Sequence, residues 1–172
     1  MTASRTKSGF LDPSHDHGSC VREAVVRAEM AFAGLGLRLT PLRRRVLEQI
    51  AGSHTAVGAY DLLERLTRPG ERRLAPISVY RALDSLVEAG IVHRLESRNA
   101  FFACHAPHAG DRRQVVLACE ACGVVAEMPA HTVFEELGAI ARSSRFTPGR
   151  MLIEVIGTCE PCSLSDSSKP DA

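Results

Sequence analysis

The chain has 172 residues, of which 45% are hydrophobic and 24% are charged. This length suits one domain or two small ones, and the apolar fraction is high enough to form a buried core. No stretch approaches the ~18 consecutive apolar residues that a membrane-spanning helix needs. Residues 1–19 lack the apolar run of a secretion signal, so we expect a cytoplasmic protein.

The charges are distributed unevenly, although the net charge is only +1. Residues 1–98 contain 15 Lys and Arg against 11 Asp and Glu, whereas residues 99–172 contain 6 basic and 9 acidic residues. Such asymmetry indicates that the N-terminal half binds a polyanion such as nucleic acid. On charge alone, a solvated arginine-rich surface explains the pattern equally well.

The N-terminal half reads as a disordered tail followed by four helices. Residues 1–18 lack periodicity and are expected to be mobile, and a first helix spans about residues 20–34. Thr40-Pro41 opens the second helix as cap and first-turn proline, and a short third helix holds Tyr60. The fourth is predicted to begin near Ser78 and to stop at Gly90.

Two short strands, 91–96 and 100–104, are expected to follow as a hairpin. Helices followed by a two-stranded hairpin are typical of a winged helix-turn-helix, in which the helix nearest the hairpin reads DNA. On that helix Val79, Leu83 and Leu86 repeat at helical spacing and should face inward, which leaves Arg81 exposed.

The C-terminal half reads as a small α/β unit, so the predicted fold class is α+β. Within its helix, Val133, Leu137 and Ile140 are expected to face inward. The predicted elements are strands at 114–118 and 124–128, a helix at 132–142 and a strand at 150–156. The predicted domains are a winged helix at 19–104, a hinge at 105–113, a dimerisation domain at 114–162 and a disordered tail at 163–172.

Two Cys-x-x-Cys pairs carry the clearest chemical signal: Cys119 with Cys122, and Cys159 with Cys162. Each pair places two thiolates on one turn, and two such turns supply the four ligands of a closed tetrahedral zinc site. Disulfides, or a single redox-active pair, are the alternative. A reducing cytosol favours zinc over disulfides.

Several motifs in order resemble the ferric uptake regulator family, and within it the zinc uptake regulators. They are Tyr60-Asp61-Leu62-Leu63, Ser78-Val79-Tyr80-Arg81-Ala82-Leu83, Gly90-Ile91-Val92-His93-Arg94, Cys104-His105 and the two cysteine pairs. The resemblance covers roughly residues 22–162. It implies a homodimeric, zinc-responsive repressor that binds palindromic operators of zinc-acquisition genes. It also implies a structural zinc at the four cysteines and about two Zn²⁺ per protomer.

The resemblance further implies a regulatory zinc site formed by His93, Cys104 and Glu127. A short hairpin is able to bring the first two together, and a mixed nitrogen, sulfur and oxygen shell with one thiolate suits Zn²⁺ better than Fe²⁺ or Mn²⁺. The family commonly has a fourth ligand, a histidine, where this chain has Arg112. We expect His108 to replace it, with His105 as the second choice.

Four residues are expected to contact DNA. Arg81 is positioned to read guanine in the major groove and Tyr60 resembles a second base-contacting residue. Ser78 and Tyr80 are expected to touch the backbone, and partial burial is the alternative for Tyr80. We expect no membrane partner, no small-molecule substrate and no enzymatic activity, because neither Cys20 nor Cys104 has a recognisable catalytic context.

Two other readings remain open at this point. One is a zinc-ribbon interaction module without regulation. The other keeps the family but replaces zinc as effector with manganese, iron, nickel or peroxide. Family members that sense iron or peroxide usually have a histidine-rich run before the first cysteine pair, and residues 111–117 contain no histidine.

Overall fold

The computed structural model of the chain describes residue 10 and residues 16–67, 74–104 and 113–166. Apart from the first ten residues, the chain divides into two compact units, one over residues 11–105 and one over residues 106–172. Within the described ranges, no helix combines the length and the apolar character needed to cross a bilayer.

The first unit consists of four helices and a three-stranded antiparallel sheet. In chain order its elements are α1 (His17–Gly34), α2 (Pro41–Ala51), β1 (Val57–Gly58), α3 (Ala59–Leu66), α4 (Pro76–Glu88), β2 (Val92–Leu95), a 3₁₀ turn (Glu96–Arg98) and β3 (Ala100–Ala103). The strand order is β1-β3-β2. This is the predicted winged-helix layout, with α4 directly before the hairpin.

Local capping explains where the first two helices begin. The Asp16 Oδ1 accepts a hydrogen bond from the Gly18 N–H at 2.9 Å, so α1 starts three residues earlier than predicted. The predicted disordered tail therefore extends two residues too far, and most of it lies outside the described residues. Thr40 Oγ1 accepts from the Arg43 N–H at 3.3 Å, as expected of the cap before Pro41.

Helix α4 begins two residues before the predicted cap at Ser78. Pro76 occupies its first turn, and no side chain caps it. Proline at this position has its φ already set and lacks the N–H that would need a partner, so it starts a helix unaided. At the other end Gly90 has a φ of +71°, and the Ile91 N–H donates to the Leu86 carbonyl at 3.0 Å, which confirms the predicted stop.

One hydrophobic core joins the helices and the sheet of the first unit. The predicted inward residues of α4, Val79, Leu83 and Leu86, are at most 1% exposed. Strand β1 was not expected, because two residues are too short for a periodic signal. It pairs Val57 with Phe101 on the central strand β3.

The second unit is a three-stranded sheet with two helices. Its elements are β4 (Gln114–Cys119), β5 (Val125–Pro129), α5 (His131–Ser143), β6 (Ile153–Gly157) and α6 (Glu160–Asp166). The strand order is β5-β4-β6, with β4 antiparallel to β5 and parallel to β6. Helix α6 was not predicted, and it contradicts the expected disorder for the described part of the tail, residues 163–166.

The prediction for the inner face of α5 is wrong. Val133, Leu137 and Ile140 are 43%, 38% and 62% exposed, whereas Phe134 and Gly138 are buried. The three apolar residues do repeat at helical spacing, but along a face that a single chain leaves in solvent. On β6, Val155 and Ile156 are likewise 49% and 43% exposed.

Candidate metal centres and nucleic-acid interface

The sheet of the second unit brings the two cysteine pairs together. Strand β4 ends at Cys119, and its parallel partner β6 ends at Gly157, directly opposite Cys119 in the register. Two residues further along the chain, Cys159 donates its N–H to the Cys119 sulfur at 3.4 Å. The parallel register therefore sets the second pair beside the first.

The four sulfur atoms form a compact cluster of thiols and not of disulfides. All four Sγ atoms lie within 4.8 Å of one another, and those of Cys122 and Cys159 are 3.7 Å apart. A tetrahedral zinc ion with Zn–S bonds of about 2.3 Å separates its ligands by about 3.8 Å. The donor set and its spacing thus fit zinc.

The electrostatics of this cluster also suit a bound cation. Burial opposes ionisation of Cys119, yet N–H groups of Cys122, Cys159 and Ala121 outweigh it and lower the pKa of Cys119 to about 6. Hydrogen bonds with Cys159 and Cys122 raise the pKa of Cys162 to about 12. Neighbouring thiols cannot all ionise without a counter-charge, because the negative charges of the thiolates repel one another. A divalent cation supplies that counter-charge.

A second group of donors lies on the hairpin of the first unit. Within the antiparallel register His93 faces Phe102, and the Cys104 N–H donates to the Ile91 carbonyl at 3.0 Å. His93 and Cys104 therefore occupy diagonal positions on one face of the sheet, where long side chains can meet. A ring nitrogen of His93 and the Cys104 sulfur lie within 4.8 Å of each other.

Of the remaining predicted regulatory ligands, the structure describes only Glu127. In the second unit, Glu127 is only 7% exposed on β5, opposite Val116 on β4. Burying a carboxylate costs free energy unless hydrogen bonds or a cation compensate for it. A bound metal ion is one such cation. His108, His105 and Arg112 lie outside the described residues.

The predicted DNA-contacting residues differ in accessibility. Arg81 is exposed on α4, and Tyr60 on α3 is 71% exposed although it is aromatic. Ser78 and Tyr80 are half-buried, and Tyr80 packs against the hydrophobic core, as its alternative reading proposed. Arg81 and Tyr60 are therefore the better candidates for base contacts.

Two arginines have structural contacts that the sequence did not predict. The Arg43 guanidinium donates to the Ser85 hydroxyl at 3.0 Å and lies 5.0 Å from the Phe32 ring centroid. Arg27 on α1 donates to the Cys104 carbonyl at 2.7 Å. No spacing rule could reveal either contact, because each joins residues far apart in the chain.

Comparisons with known proteins agree with this geometry. The ferric uptake regulator family model matches residues 34–156. The zinc uptake regulation protein of Escherichia coli (strain K12) is 36% identical over 141 residues, which is 82% of each chain. The chain belongs to the ferric uptake regulator family.

Two solved structures resemble the chain over most of its length. A zinc uptake regulator complexed with zinc and DNA shares 35% identity with a TM-score of 0.79, covering 86% of this chain and 97% of its own. The holo form of XcZur shares 40% identity with a TM-score of 0.72, covering 85% and 98%. Both likenesses include the winged helix and the small α/β unit.

Proposed function

We propose that this protein is a zinc-responsive, dimeric transcriptional repressor that binds operators of zinc-acquisition genes when Zn²⁺ is bound. The observation that carries the proposal is the likeness over most of the chain to a zinc uptake regulator in complex with zinc and DNA. A regulator that acts on DNA through reduced cysteines belongs in the cytoplasm. No enzymatic role is proposed.

The four-cysteine cluster is proposed as the structural zinc site. When bound there, zinc joins the ends of β4 and β6 through four thiolates and leaves no open coordination position. Such a site holds the second unit together without taking part in hydrolysis. The 3.7 Å sulfur–sulfur distance between Cys122 and Cys159 supports this assignment.

His93, Cys104 and Glu127 are proposed as ligands of a second, exchangeable zinc, with His108 as the fourth. The proximity of His93 to Cys104 and the burial of Glu127 support the first three. His93 and Cys104 belong to the hairpin, whereas Glu127 belongs to the other unit. A zinc ion bound by ligands of both units would join the two units to each other.

This coupling explains how metal controls DNA binding in the proposed function. A dimer reads a palindrome only if its two recognition helices meet successive faces of the major groove. Because bound zinc would already restrict movement between the two units, less conformational entropy would be lost when both recognition helices bind DNA. The expected coupling free energy between zinc and DNA is about 1–3 kcal/mol.

Dimerisation is proposed through the exposed apolar face of the second unit. Val133, Leu137 and Ile140 form one stripe along α5, and this stripe leaves more apolar side chain in solvent than a small unit of one chain explains. Contact between two copies would bury this face.

Replacing Ile140 with aspartate is expected to convert dimers into monomers, because a charge would be buried at the interface. Ala139→Asp, a substitution at the neighbouring exposed residue, is the control for helix stability. Sedimentation velocity measures the outcome. If Ile140→Asp remained dimeric at micromolar concentration, this face would not be the interface.

Arg81→Ala is expected to reduce sequence preference, since a bidentate arginine–guanine contact is worth about 1–3 kcal/mol. Affinity should fall about 5–150-fold for a duplex selected from a random pool by the zinc-loaded protein, and much less for a scrambled duplex. Arg98→Ala removes an exposed positive charge at the end of the hairpin and no predicted base contact, so any loss of affinity should be the same for both duplexes. If Arg81→Ala lowered the affinity for the selected and the scrambled duplex by the same factor, Arg81 would not read the DNA sequence.

A metal panel tests the proposed function against the same fold with another effector. Protein that keeps its structural zinc is titrated with Zn²⁺, Mn²⁺, Fe²⁺ or Ni²⁺ while binding to the selected duplex is measured. Zn²⁺ is expected to raise DNA affinity at the lowest free concentration. A stronger response to another metal would reassign the effector, and strong binding without any added metal would favour an unregulated module.

A further inference from the structure

The strand that carries Cys104 is tied to helix α1 by a single charged side chain. One terminal NH₂ group of the Arg27 guanidinium donates to the Cys104 carbonyl oxygen at 2.7 Å, in a partly buried setting. The two residues are 77 positions apart, and both belong to the first unit. Hydrogen bonds from a charged donor to a carbonyl are shorter and stronger than neutral ones.

This bond completes the fixation of the Cys104 backbone. On one side the Cys104 N–H donates to the Ile91 carbonyl at 3.0 Å, which continues the hairpin beyond the end of β3 at Ala103. On the other side the carbonyl of the same residue accepts from Arg27. With both polar groups of its backbone held, Cys104 presents its sulfur from a fixed Cα position.

Helix α1 is a rigid support for this contact. Its buried residues Ala24, Val25, Ala28 and Phe32 pack into the core of the first unit. Arg27 directly precedes Ala28 in the chain and is itself half-buried, so its aliphatic stem has little freedom to move away. Arg22, one and a half turns earlier, instead has an exposed side chain that pairs with Asp16 at 3.4 Å.

We propose that Arg27 is a positioning residue for the regulatory metal ligand Cys104, and so makes zinc affinity depend on helix α1. The inference rests on the proposed function, in which Cys104 binds the exchangeable zinc. Partners that orient a metal ligand without touching the metal typically change metal affinity by 10–100-fold when they are removed. Because linkage is reciprocal, zinc bound at Cys104 should also stabilise α1.

The test compares Arg27→Met, Arg27→Lys and the control Arg22→Met in the full chain with its structural zinc retained. Competition with a chromophoric chelator gives the affinity of the exchangeable zinc. We expect a loss of about 10–100-fold for Arg27→Met, substantial recovery for Arg27→Lys and no change for Arg22→Met. With Co²⁺ as probe, the thiolate-to-cobalt charge-transfer band of Arg27→Met should be weaker or shifted.

Thermal unfolding separates positioning from simple stabilisation. If Arg27→Met lowers the melting temperature but leaves zinc affinity and the cobalt spectrum as in the wild type, the bond only stabilises the fold and the inference is overturned. If the wild type itself has no exchangeable zinc, the proposed function fails and the inference with it. DNA affinity at saturating zinc should match the wild type for Arg27→Met, since the helix that reads DNA is untouched.

Discussion

Cys159→Ser is expected to remove the structural zinc and unfold the second unit. The serine hydroxyl does not ionise near neutral pH, so it cannot replace the thiolate at a site whose four sulfur atoms lie within 4.8 Å. The same change removes the group whose sulfur is 3.7 Å from that of Cys122. Zinc content measured after gel filtration should fall by about one ion per protomer.

The size of the second unit explains why this effect should be large. Its described part spans residues 113–166, and a core of that size rarely supplies more than about 3–5 kcal/mol. Structural zinc supplies apparent binding free energies of about 10–16 kcal/mol in small zinc-binding peptides. Without it, amides of β4 and β6 should lose their protection from hydrogen exchange, and the dimer should dissociate.

Cys20→Ser is the matched control for this substitution. Cys20 lies in α1, outside both donor groups, and burial followed by the charge of Glu23 raises the pKa of its thiol. A thiol that stays neutral should tolerate replacement by a hydroxyl with little effect on zinc content. A Cys159→Ser protein that kept its full zinc content and its exchange protection would contradict the structural role of the cluster.

Cys104→Ser is expected to abolish the response of DNA binding to zinc while leaving the structural zinc in place. Cys104 is buried within reach of His93 and is the one thiol of the proposed regulatory shell. Loss of that thiolate should weaken the exchangeable zinc by more than about 100-fold, since even residues that only orient a ligand are worth 10–100-fold. DNA affinity should then stay at the value seen without added zinc.

This result distinguishes the two metal sites from each other. Cys104→Ser should retain the structural zinc and remain a dimer, whereas Cys159→Ser should lose the structural zinc and dissociate. The measurements are zinc content, sedimentation and DNA affinity as a function of free Zn²⁺. If Cys104→Ser still bound DNA more tightly as zinc was added, the regulatory site would lie elsewhere.

The sequence predicted the fold well where the local signals are strong. The cap and proline at Thr40-Pro41 and the stop at Gly90 were confirmed, because each rests on a short-range steric or hydrogen-bonding rule. The start of α4 was misassigned because two local signals compete there. Ser78 is a good cap, but Pro76 begins the helix first.

The face of α5 shows what a single chain cannot reveal. Periodicity identified Val133, Leu137 and Ile140 as one apolar stripe, yet in the structure it is Phe134 and Gly138 that are buried. A stripe that is covered by a second copy has the same period as one that packs inside the chain. A sequence pattern therefore shows which residues need to be buried, but not whether the same chain or a second copy covers them.

The candidate sites also differ in whether the sequence could predict them. Four cysteines in two pairs predict their own cluster, because the ligand spacing is local to each turn. The contact of Arg27 with Cys104 follows from the tertiary arrangement of α1 and the hairpin. The sequence around these two residues does not predict it. Long-range positioning contacts of this kind become visible only with the fold.

The most direct test of zinc-controlled DNA binding is to count zinc per protomer while DNA affinity is measured across a range of free Zn²⁺. The proposed function predicts about two zinc ions per protomer, one of which resists exchange while the other exchanges and raises affinity for the selected duplex roughly 5–150-fold. A single, non-exchanging zinc together with DNA binding that does not change with free Zn²⁺ would contradict it.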